Sequence, residues 1–79
     1  MNKDTQKFID RWRGDKKTYV DVLDFAYFAI CDYAEIEDAE LGREVVRREF
    51  VSLEGIDLEK VDMAVLGDVI HDAVRVQYR

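Results

Sequence analysis

Residues 18–36 read TYVDVLDFAYFAICDYAEI, the longest apolar-rich run of the chain and one without Gly, Pro, Lys or Arg. Val20, Leu23, Ala26, Tyr27, Ile30 and Ala34 recur at three- and four-residue intervals, which is the spacing of a helix. Turning about 100° per residue, apolar side chains cover most of the circumference. One narrow polar strip remains, formed by Asp21, Asp24, Asp32 and Glu35, with Phe28 in its middle and Cys31 at one edge. A helix apolar on nearly every side belongs among neighbours. The expected fold is therefore all-α, a small bundle of about four helices with helix two (about 18–36) central.

The flanking sequence supplies the other helices. Asp4 or Thr5 caps a first helix running to about Arg13, in which Phe8, Ile9 and Trp12 share a face. Gly14 is expected to end it in the left-handed conformation, and Trp12 to dock on helix two. Asp15 and Thr18 compete as caps for helix two. A third helix is expected from about Ala39 to Leu53, with Ala39, Gly42, Val46, Phe50 and Leu53 inward and Gly55 ending it. Gly42 on that face implies close approach of a neighbour, because a helix-interior Gly costs about 1 kcal/mol against Ala. Residues 56–61 form a short connection, expected to include at most one helical turn. Asp57 or Asp62 then caps a fourth helix reaching Gln77. Its apolar arc is Val65, Leu66, Val69, Ile70, Ala73 and Val76, with Ala64, Gly67, His71 and Arg75 opposite. The tail VRVQYR also alternates like a strand, but no second strand of similar quality exists to pair with it.

The chain has 79 residues, one cysteine and a net charge of −6. That length fits one acidic helical domain, 1–79, near the lower limit for a self-sufficient core. A single cysteine forms no internal disulfide and no Cys/His set closes a zinc site. No run reaches the roughly 18 apolar residues of a membrane span, and the N-terminus lacks a signal-peptide pattern. A soluble, cytoplasmic protein with no membrane association is expected.

Charge is unevenly distributed. Residues 1–17 carry +3, residues 18–42 carry −7 without one basic side chain, and residues 43–53 carry +1. An acidic chain is poorly suited to general phosphate neutralisation, so direct nucleic-acid binding is disfavoured. The alternative nucleic-acid contact is Arg43, Arg47 and Arg48 on helix three, as in a DNA-associated regulator presenting them to a major groove. Pairs such as Arg43 with Glu40 or Arg47 with Glu44 explain the same residues as a solvated helix face.

Enzymatic chemistry has little to rest on. His71 is the one histidine, with Asp68 and Asp72 nearby, and Cys31 lies on a different helix. No Gly-rich oxyanion or phosphate loop accompanies them. The residue three before His71 is Asp68, with no repeated Glu-x-x-His as bundle metal sites require. The run from Asp57 to Asp68 lacks the glycine an EF-hand needs at its sixth position. The expectation is a non-enzymatic chain without metal or cofactor.

The acidic strip is the most distinctive feature. A solvated face accounts for its polarity, but not for its single sign or for Phe28 within it. An aromatic anchor ringed by charges has the composition of an interface hot spot, and those charges speed encounter with a basic partner. The expected contact set is Asp21, Asp24, Phe28, Asp32 and Glu35, extended by Glu37, Asp38 and Glu40. The expected role is a protein-binding module for a partner with a basic surface. Its extreme form is an inhibitor mimicking nucleic acid on a nucleic-acid-handling protein, by analogy of size and charge with small acidic phage proteins. The wide apolar faces of helices two and four leave a homodimer open beside a monomer.

Overall fold

The computed structural model describes residues 1–32 and 36–78. Four α-helices follow in order among them: α1 (Lys3–Gly14), α2 (Lys16–Asp32), α3 (Asp38–Arg47) and α4 (Met63–Gln77), with a single 3-10 turn, Leu58–Lys60, before the last. No strand occurs among the described residues. The architecture is the all-α bundle that the spacing predicts, and none of these helices is long and apolar enough to cross a membrane.

The closest packing joins α3 to α4. A Cβ added at Gly42 would collide with the Met63 carbonyl, and one added at Gly67 with that of Asp38. Residues 38 and 42 thus face 67 and 63, so the two helices run antiparallel, each glycine receiving the other helix's first turn. Gly42 makes the close approach its placement implied. Gly67, expected on the outer side of helix four, is instead buried. The absence of a side chain lets the backbone of α3 come near.

Leu41, Val45, Leu66 and Ile70 fill this core with Phe8, Ile9, Trp12, Val22, Leu23 and Ala26. Trp12 docks on α2 as expected: its ring stacks on Tyr19 with centroids 5.0 Å apart, and its indole N–H donates to the Tyr19 carbonyl at 3.3 Å.

The basic character of α1 has a structural use. Arg11 donates to the Ser52 carbonyl at 2.7 Å and Lys7 to that of Gly55 at 3.3 Å. The Asp4 carboxylate accepts from the Asp57 N–H at 3.0 Å, and buried Thr5 accepts from the Asp62 N–H at 2.8 Å. These side chains pin backbone groups of the irregular connection to α1.

Several local expectations are corrected. Asn2 caps α1 by accepting from the Thr5 N–H, so Asp4 and Thr5 lie inside the helix. Gly14 does not take a left-handed conformation; the chain leaves α1 through extended Asp15. That conformation lets Asp15 accept from the Lys17 N–H and the Thr18 hydroxyl at the start of α2. Helix three stops at Arg47 rather than Leu53. Glu49 has φ +54°, a left-handed backbone that ends helical propagation. Phe50 then turns to Phe25, with centroids 5.6 Å apart. Gly55, also left-handed at φ +75°, serves a turn after that exit rather than the helix end.

Helix α2 packs on all three other helices, but they cover only part of its circumference. Val22, Leu23 and Ala26 are buried, while Val20 and Tyr27, expected inside, are 44% and 38% exposed. With α3 and α4 packed tightly on each other, the described residues do not cover the far side of α2.

Candidate functional site

The uncovered side of α2 is where the expected contact strip lies. Phe28 is 64% exposed. Asp24 and Asp32, one turn to either side, are exposed, and Asp21 is half-buried. Glu37 and Glu40 are exposed around the start of α3, while Glu35 lies outside the described residues. Among the described residues no lysine or arginine forms an ion pair with Asp21, Asp24 or Asp32. The seam is therefore a solvent-facing arrangement of carboxylates about an aromatic ring.

Asp38 departs from that arrangement. Its carboxylate meets His71 Nδ1 at 2.6 Å, and the same nitrogen lies 3.1 Å from the Gly67 carbonyl oxygen. Both neighbours are acceptors, so Nδ1 carries the proton. His71 thus ties α4 to the first turn of α3 beside the buried glycine. Asp38 acts at this joint more than in the seam. Cys31 is exposed on α2, where it accompanies Tyr27.

Two tyrosines enlarge the seam beyond its predicted members. Tyr78, one residue past α4, donates its hydroxyl to the Asp24 carboxylate. Its ring stacks on Tyr27 with centroids 4.3 Å apart, and Tyr27 meets Phe28 edge-on at 6.0 Å. The end of α4 is thus fastened across α2. The bond to Asp24, with desolvation and the Asp24 charge adding to it, raises the Tyr78 phenol above its ordinary pKa. Hydrogen bonding to Cys31, and then the Cys31 charge, raises that of Tyr27. The available signal is helical spacing, since Tyr78 follows Val74, buried on α4, by four residues. What it touches depends on the angle between two helices.

On its other flank the seam falls into a cleft of about 560 Å³ between α2 and α3. Phe25, Ala29 and Ile36 are apolar lining residues, and Phe28, Asp32, Glu40, Glu44, Arg47 and Arg48 complete it. The arginines of the alternative nucleic-acid contact divide here. Arg47 pairs with Glu44 at 2.7 Å, the Arg48 guanidinium lies over the Phe25 ring at 4.7 Å, and Arg43 is exposed. Two of the three are engaged with this chain's own side chains. Among the described residues no group of three or more His, Cys, Asp or Glu converges as a metal site.

Comparison with known proteins returns no matching family model, curated protein or solved structure. The reading of the site rests on its geometry.

Proposed function

We propose that the chain is a non-catalytic protein-binding module that docks through the α2 seam onto a basic surface of another protein. The observation carrying this reading is Phe28, 64% exposed on a regular helix between carboxylates that form no ion pair with basic residues among the described set. With only about a third of it covered, that phenylalanine adds little to folding compared with a core aromatic. An aromatic side chain that loses its remaining water contact on docking is a typical anchor, and the surrounding negative field favours encounter with a positive surface. Inhibition of a nucleic-acid-handling protein by occupying its phosphate-binding surface is the sharpest version of this role.

The DNA-regulator alternative has less support, because Arg47 pairs with Glu44 and Arg48 shares its cleft with the carboxylates of Asp32 and Glu40, a setting that disfavours phosphate. A homodimer formed across the same seam by a two-fold axis would set Asp24 and Asp32 against like charges. A basic partner suits the surface better than a second copy.

The test is capture of partners from the native host with the wild-type chain, Phe28→Ala and Asp32→Lys, each checked for folding. Partners held by the wild type and lost from both folded variants support the reading. Retention by both variants refutes it, and salt-sensitive binding of the purified chain to duplex DNA would favour the alternative.

A further inference from the structure

The cleft between α2 and α3 is graded in charge along its length. Asp32 and Glu40 stand at the end nearer the α2–α3 connection, and Arg47 and Arg48 at the other. Phe25 and Ala29 supply apolar surface between them, with exposed Phe28 alongside. Glu44 also lines the cleft, but its carboxylate is held by Arg47. Glu40 and Arg47 are seven residues apart on one helix, so roughly 10 Å separates the charged ends.

We infer that this cleft receives an amphipathic helix of the partner with a particular charge order. It carries a basic residue at position i, a bulky aliphatic residue at i+3 or i+4, and an acidic residue at i+7. This rests on the protein-binding role proposed above and adds the class and direction of the segment bound. Seven helical residues span the same distance as the charged ends. The basic residue faces Asp32 and Glu40, the aliphatic residue lies against Phe25, Phe28 and Ala29, and the acidic residue reaches Arg48. The positive N-terminal end of such a helix also falls at the acidic end of the cleft. Charge complementarity selects this occupant. A wholly basic helix meets Arg48, and one with reversed order matches the charged ends only by docking end for end, which turns its dipole against them.

Three alanine-rich helical peptides of about 16 residues, long enough to hold helical structure, test the inference. The first has Arg at i, Leu at i+3 and i+4, and Glu at i+7. The second exchanges Arg and Glu, and the third has Arg at both charged positions. Each is titrated into the full isotope-labelled chain by NMR. The first is expected to shift the amides of Phe25, Phe28, Ala29 and Ile36, to bind about two- to fivefold more tightly than the second, the worth of the helix dipole, and about tenfold more tightly than the third. Arg48→Glu should move the preference to the third peptide.

Equal binding of the first two peptides overturns the direction in which the helix lies. Equal binding of the first and third removes the role of the basic end, while leaving the acidic seam as a docking face. If no peptide perturbs the cleft but a captured partner still needs Phe28 and Asp32, the helix inference fails alone. If the captured partner needs neither, the protein-binding role falls with it.

Discussion

Replacing Phe28 with alanine separates an anchor from a core residue, because the two roles predict different energies. About a third of Phe28 is covered, since 64% is exposed. A phenylalanine presents about 200 Å², so roughly 70 Å² is shielded. At about 25 cal/mol per Å² this corresponds to about 2 kcal/mol. Alanine retains part of that shielding, and its helix propensity is better by about 0.5 kcal/mol. The expected loss is about 1 kcal/mol, or about 4–8 °C in Tm for a domain this small. Deleting a core aromatic such as Trp12 should instead cost about 3–5 kcal/mol. Urea melts followed by far-UV circular dichroism measure both variants, and calorimetric titration with the captured partner measures binding. A folded Phe28→Ala chain should bind at least about tenfold more weakly, the effect of a hot-spot residue. A stability loss near that of Trp12→Ala would place Phe28 in the core, and unchanged affinity would remove it from the contact surface.

Four further outcomes follow from the packing and the phenols. Gly67→Ala should destabilise by about 1–3 kcal/mol, the range for overpacking, because its new Cβ would come within 2.7 Å of the Asp38 Cα; denaturant midpoints measure it. Gly14→Ala, where a Cβ meets nothing within 4 Å, should be neutral or stabilising by up to about 1 kcal/mol in the same melts. Thr5→Val keeps the side-chain shape but deprives the Asp62 N–H of its acceptor, so a loss of about 1–3 kcal/mol is expected, with faster amide exchange at Asp62. Because the Tyr78 phenol is raised, its contribution to stability is fully present below the ordinary phenol pKa of about 10 and is lost as pH rises through the folded value. Tyr27 and Tyr78 should both ionise late in an ultraviolet titration, and Tyr78→Phe should remove one of the two.

The sequence held the helices and the outward position of Phe28, but not how far the rest of α2 is covered. Spacing in residues 18–36 defines a helix without specifying how many neighbours surround it. Assigning Val20 and Tyr27 to the interior assumed cover on every side. Two glycines decide otherwise. Gly42 and Gly67 bring the α3 and α4 backbones together, so much of the apolar surface on those helices is spent on each other. Helix α2 lies against that pair and α1, with its outer side open. Gly42 could be read as a close approach because it falls on the apolar arc of its helix. Gly67 falls among Ala64, His71 and Arg75, so its burial depends on the approach of Asp38 from another helix.

The cleft illustrates the same limit on a smaller scale. Its charges are present in the sequence, where helical spacing sets Arg43 and Arg47 one turn apart on an outer face and Arg48 to the side, without showing what each meets. Glu49 makes the difference, because its left-handed backbone stops α3 and lets Phe50 turn back onto Phe25. Had α3 continued to Leu53, Phe50 would have stayed on a helical face and not in the turn that meets α2. The early stop places Arg48 above an aromatic ring at one end of a groove whose other end is acidic. An acidic strip and a basic cluster, competing readings along the chain, thereby become opposite ends of one surface. In the docking proposed above, it is this pairing of opposite ends that would distinguish a helix of mixed charge from a wholly basic one.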